Sequence, residues 1–153
     1  VSEQVTGADL VQLQFKIAGG EAVNFDQTQI NVNRHSIECR INAEDPAHDF
    51  MPSPGRINGW YPPHGAGIRI DSHCRDGYLV PPFYDSMIGK LIVTATDRDN
   101  AVERLKVALE TFEVDGVTTN LPLLRQIVDH PDFKANKIST RWLEQQVLPG
   151  FQS

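Results

Sequence analysis

The chain has 153 residues, of which 40% are hydrophobic and 22% charged, and it carries a net charge of −6. That length suits one domain able to bury a core without disulfides or a structural metal. The acidic balance and the lack of a basic face argue against nucleic-acid or acidic-membrane binding, which need a positive footprint, and no apolar run reaches the length of a membrane span.

The two cysteines, Cys39 and Cys74, match no short metal spacing and read as isolated buried thiols. Residues 1–10 are polar, lack the cationic-then-apolar pattern of a signal peptide and have no initiator Met. Val1 therefore reads as a point inside a longer polypeptide.

Leu10, Leu13 and Ile17 recur at helical spacing and predict a helix over 8–18, capped by Thr6 or Asp9 and closed by Gly19-Gly20. Over 29–43, Ile37, Cys39 and Ile41 alternate with Glu38, Arg40 and Asn42, a strand with one apolar and one polar face. Residues 45–63 hold five prolines and two glycines, so loops are expected around short strands, with 57–61 and 67–71 as the candidates. Residues 77–80 precede Pro81-Pro82, which forces extended or turn backbone. Leu91, Ile92 and Val93 mark a strand over 87–96.

The clearest helix covers 98–112, with Ala101, Val102, Leu105, Ala108, Leu109 and Phe112 in one stripe, Asp97 as cap and Asp99 near the positive end. Gly116 breaks the chain. Thr118 or Thr119 then caps a helix with Pro122 in its first turn and a core face of Leu123, Leu124, Ile127 and Val128. A last helix opens at Ser139, runs through Trp142, Leu143 and Val147, and ends at Pro149-Gly150. The order implies an α+β fold, mainly antiparallel sheet packed with about three to four helices.

Arg40 is the first candidate for chemistry. A strand is a rigid mount, and guanidinium is a permanent cation with a planar fork of donors. It can hold a carboxylate or bicarbonate, or stabilise an oxygen gaining charge. The structural alternative is a cross-strand ion pair with Glu38, Glu44 or an acid on a neighbour. Gly89-Lys90 is not a phosphate loop, because no glycine stands five residues before Gly89 and Leu91 occupies the Ser/Thr position. Asp85 either orients a cation such as Arg40 or caps its turn, the ordinary role of an Asp at such a position. His73 and Cys74 are adjacent and point to opposite faces of an extended chain, which disfavours a shared metal. Residues 64–67, His-Gly-Ala-Gly, read as a turn.

Four stretches resemble one family. They are HSIECRINAEDP at 35–46, PSPG at 52–55, VPPFYDSMIGK at 80–90 and DGVTTN at 115–120, in order and covering nearly the whole chain. They resemble the carboxy-terminal domain of biotin carboxylases, within the ATP-grasp superfamily. The resemblance implies an ATP-dependent ligase that activates bicarbonate and carboxylates N1 of biotin on a carrier. It implies ATP, Mg²⁺ and biotin as cofactors of the full enzyme, none fully bound by this piece. The opening at 1–7 resembles the stretch directly after the family's catalytic glutamate segment, so the upstream ATP-grasp region lies outside this chain and the chain alone is expected to be inactive.

Arg40 matches the family arginine placed near the ureido oxygen of biotin and the bicarbonate. The resemblance also implies that Asp85 and Glu38 support it from behind, and that Arg69, in the matching G-x-R stretch, is an interface residue of a homodimer; Ala66 departs from the larger aromatic of some members. Further implied partners are a biotin carboxyl carrier protein or domain and a carboxyltransferase. The implied location is cytoplasmic, or mitochondrial in a eukaryotic parent. The acyl acceptor, acetyl-CoA (as in fatty acid biosynthesis), propionyl-CoA or pyruvate, stays open. Two alternatives are a non-catalytic assembly and dimerisation module of the carboxylase, and an ATP-grasp relative without biotin.

Overall fold

The computed structural model describes residues 1–23 and 26–151. Its centre is a three-stranded antiparallel sheet in the order β1 (His35–Asn42), β8 (Met87–Ala95), β6 (Ile68–Asp71). Three further antiparallel pairs surround it: β2 (Glu44–Asp45) with β3 (Met51–Pro52), β4 (Gly55–Arg56) with β7 (Leu79–Val80), and β5 (Gly59–Tyr61) with β9 (Glu113–Asp115). The helices are α1 (Ser2–Thr6), α2 (Leu10–Ala18), α3 (Arg98–Thr111), α4 (Leu121–Asp129) and α5 (Pro131–Lys134). The α+β class is as expected.

Alternation along β1 and β8 divides the sheet into two chemically distinct faces. Ile37, Cys39 and Ile41 lie opposite Val93, Leu91 and Gly89, and β6 adds Ile68 and Ile70. These pack with the α3 stripe (Val102, Leu105, Ala108, Leu109 and Phe112) into one core. Phe112 is fully buried and meets Trp60 edge-on, at 5.2 Å between ring centroids. Asp97 caps α3 by accepting from Asn100 N–H at 2.9 Å. Arg125 of α4 closes the other end, donating to the carbonyls of Leu109 and Phe112. A smaller cluster of Leu123, Trp142 and Val147 secures the C-terminal segment.

Several boundaries differ from expectation for identifiable reasons. β1 begins at His35, not near Gln29, because its ladder partner ends at Ala95, opposite His35. α2 forms with Asp9 as its cap, accepting from Gln12 N–H at 2.8 Å. Its apolar stripe is not buried within the described residues, and Phe15 is 76% exposed. α1 and α5 are additions that periodicity cannot signal at five and four residues. The last helical segment starts at Trp142, not Ser139, and passes through a wide turn at Leu143–Val147 and a tight one at Leu148–Gly150. No helix among the described residues is long and apolar enough to cross a membrane.

Candidate anion-facing site on the sheet

The second face of the sheet is mainly polar, with Ile92 buried in its middle. Along β1 it carries Ser36, Glu38 and Arg40, and their partners on β8 are Thr94, Ile92 and Lys90. β6 contributes Arg69 opposite Ile92 and Asp71 opposite Lys90. Arg40 is exposed, and among the described residues its guanidinium makes no hydrogen bond and no ion pair. The Arg40 carbonyl points away from β8 and accepts from Asn120 Nδ2 at 3.0 Å. Arg40 and Lys90 therefore face each other as a non-hydrogen-bonded pair, the closer of the two antiparallel geometries. Like charges directly opposite are destabilising unless something negative lies between them. Two cations at the exposed end of this face, Arg40 and the half-buried Lys90, form a place where an anion is favoured.

The acids considered as partners for Arg40 are occupied elsewhere or stand apart. Glu44 accepts from Asn42 Nδ2 at 3.2 Å and takes a short hydrogen bond from Ser86 Oγ. Asp71 is held by both Nε and Nη2 of Arg69, at 2.7 and 3.0 Å. Glu38 shares Arg40's face and makes no ion pair among the described residues. Asp85 accepts from Met87 N–H at 2.9 Å, so its carboxylate shapes the turn into β8 and does not touch Arg40. The cross-strand ion pair expected as the structural alternative for Arg40 is thus not formed.

Arg69 uses its remaining terminal nitrogen on Glu3 at 2.7 Å, which ties α1 to β6. The guanidinium hydrogen bond holds the Glu3 carboxyl below its ordinary range, and the two acids raise Arg69 further. On the core face beside the site, burial, with a smaller contribution from Glu38, pushes the Cys39 thiol up to about 12. It is an inert packing group, not a nucleophile. His73 stacks edge-on against Tyr78 at 4.9 Å and Cys74 N–H donates to Ser72 Oγ, so neither is part of the Arg40 face.

Two members of the arrangement do not stand out in the sequence. Lys90 figures there in a phosphate-loop pattern that fails and as the last residue of the 80–90 stretch, with no role assigned; the β1–β8 register places it opposite Arg40. Asn120 closes the motif at 115–120, and its contact with β1 spans 80 residues of sequence. Alternation along β8 is a signal that could have found Lys90. No local signal points from Asn120 to β1.

A family model described as the C-terminal domain of biotin carboxylase matches residues 38–145. The chain is 48% identical over 145 residues to a biotin carboxylase of Nostoc sp., covering 95% of this chain and 32% of that protein. It is also 48% identical to the 2-oxoglutarate carboxylase small subunit of Hydrogenobacter thermophilus, covering 95% and 31%. The crystal structure of the biotin carboxylase subunit of a pyruvate carboxylase superposes with a TM-score of 0.96 at 47% identity, over 100% of this chain and 34% of that one. The biotin carboxylase domain dimer of the Hydrogenobacter enzyme, in complex with MgADP, ADP and bicarbonate, superposes with a TM-score of 0.95 at 45% identity, again over 100% and 34%. The chain spans about a third of the length of the relatives it matches.

Proposed function

The chain belongs to the biotin carboxylase C-terminal domain family, and on that premise we propose that it supplies the biotin-facing wall of an ATP-dependent biotin carboxylase. The observation that carries the proposal is Arg40: an exposed guanidinium on the outer strand of the main sheet, opposite a second cation, with no anionic partner among the described residues. Removing the N1 proton of biotin moves electron density onto the ureido oxygen. A guanidinium mounted on a strand beside the ureido group would stabilise that oxygen, and it can equally hold bicarbonate. Glu38, on the same face, limits the positive field, and Asp85 acts by shaping the turn beside the site.

Among the described residues no group of three or more His, Cys, Asp or Glu side chains is arranged to hold a metal ion. On the family resemblance we assign ATP and Mg²⁺ to an ATP-grasp region upstream in the parent protein, and draw no step through them from this chain. As further partners we propose a biotin carboxyl carrier protein or domain, a carboxyltransferase, and a second copy of the parent near Arg69, in the cytoplasm, or the mitochondrion of a eukaryotic parent. The dimer of the Hydrogenobacter domain supports the last of these partners. The assembly alternative has one observation in its favour, the uncovered apolar side of α2, and is compatible with catalysis.

The test is Arg40→Ala in the full-length carboxylase, assayed for bicarbonate- and biotin-dependent ATP cleavage and for carboxybiotin formation. Loss of a preorganised charge contact to a developing oxyanion predicts a fall of about 10²–10³-fold, with size-exclusion behaviour unchanged. Activity within a few-fold of wild type would reject the catalytic role and leave the assembly role.

A further inference from the structure

We infer that Asn120 is a positioning residue for Arg40, an inference that rests on the biotin-site reading of that arginine. The guanidinium makes no hydrogen bond and no ion pair with other described residues, so the β1 backbone that carries it is what sets its direction. That backbone is held by β8 on one side only, since β1 is an outer strand of its sheet. The β1–β8 register slips between Ile41 and Asn42, directly after the arginine.

Asn120 meets β1 at this point with three hydrogen bonds. Its Nδ2 donates to the Arg40 carbonyl at 3.0 Å, its Oδ1 accepts from Asn42 N–H at 3.0 Å, and its own N–H donates to the Asn42 carbonyl at 3.1 Å. One residue thereby does what a neighbouring strand would do, and it holds the three successive peptide planes that come after the Arg40 Cα. The task needs a donor and an acceptor on two separate atoms of one short side chain, which an amide offers; a carboxylate or methyl group does not donate, and a hydroxyl has only one oxygen for both roles.

The direction of the amide supports the assignment. Asn120 precedes the first turn of α4, where Asn commonly caps its own helix, yet its side chain makes no cap bond. The Leu121 N–H turns instead to Thr119 Oγ1, at 3.4 Å. Asn120 is itself fixed: Thr118 N–H donates to Ser53 Oγ at 3.0 Å, and Leu121 and Leu123 are buried on the far side.

The experiment is a double-mutant cycle in the full-length carboxylase: wild type, Asn120→Ala, Arg40→Ala and the double variant, measured for biotin-dependent turnover and for KM of ATP. Misdirection of a positioned group predicts a loss of about 10-fold in kcat for Asn120→Ala, with KM for ATP unchanged within about two-fold. On the Arg40→Ala background the same change should alter turnover by less than about two-fold, because the group it positions is gone. Equal losses on both backgrounds, or no loss in the single variant, would overturn the positioning role. Should Asn120→Ala not fold, Asn120→Ser carries the same cycle with the same outcomes. Full activity in Arg40→Ala would overturn the biotin-site reading and this inference together, whereas an inactive Arg40→Ala with equal Asn120 losses would overturn this inference alone.

Discussion

Gly116→Ala tests the close approach that delivers the 116–120 loop to the sheet. Gly116 has φ +99°, a region L-residues avoid, and an added Cβ would collide with the Arg56 carbonyl and stand 2.9 Å from Asn58 N. Neither atom can retreat cheaply. Arg56 pairs with Leu79 in the β4–β7 ladder, Ile57 N–H donates to Tyr78 O at 2.8 Å, and Asn58 N–H donates to Asp115 O at 2.8 Å. Ile57, between them, is fully buried. The backbone conformation costs about 1–2 kcal/mol, and forcing atoms into a packed site costs a further 1–3 kcal/mol or so. The expected loss is therefore about 2–5 kcal/mol, read as a fall in the urea midpoint at unchanged slope.

Gly77 is the control. Its φ is +80° but the nearest atom to an added Cβ is Arg56 Nη1 at 3.8 Å, so Gly77→Ala should cost only the conformational part, about 1–2 kcal/mol. If Gly116→Ala costs no more than Gly77→Ala, the collision is not real and the loop is held in some other way.

Three further outcomes are expected. Phe112→Ala removes a fully buried ring packed on Trp60 and should cost about 3–5 kcal/mol in chemical denaturation; a cost under about 1.5 kcal/mol would mean that the α3–sheet core is loosely packed. The Cys39 thiol, held up at about 12 by burial, stays neutral in the folded chain while an unfolded thiol ionises near pH 8.5. Its raised value contributes stability that is whole below about pH 8.5 and fades as pH rises toward 12. Between pH 8.5 and 10.5 wild type should lose about 2 kcal/mol more than Cys39→Ala, and parallel curves would contradict the burial. Glu3 shows the opposite sign: its carboxyl is lowered by Arg69, so this contribution is present above the unfolded carboxylate range and fades as pH falls through the lower folded value. In Arg69→Ala the Glu3 titration followed by NMR should move up toward ordinary values; an unmoved curve would refute the α1–β6 ion pair.

The elements legible in the sequence are those whose pattern is long enough to repeat. The α3 stripe from Ala101 to Phe112 is buried at every position named from periodicity, and the alternation at Ile37, Cys39 and Ile41 correctly separates the two faces of β1. What failed depended on distant partners. The start of β1 is set by where β8 stops. α2 forms where its stripe predicts, yet that stripe packs against none of the described residues closely enough to be buried. The cap of α4 went to Asn120 by position, while its amide went to a strand 80 residues earlier.

The site divides along the same line. Arg40 could be picked out because a cation between Cys39 and Ile41 on an alternating strand must face away from the core, and the family resemblance named the same residue. The alternative for it, an ion pair with a neighbouring acid, could be judged only once each acid's partner was known: Glu44 with Asn42 and Ser86, Asp71 with Arg69, Asp85 with its own turn. An unpaired cation among so many acids in a chain of net charge −6 is costly to arrange by accident. Each of these three carboxylates has been given a different donor, and the one residue directly across from Arg40 is another cation. That distribution of partners, more than the arginine itself, is what favours the proposed anion site over a surface salt bridge.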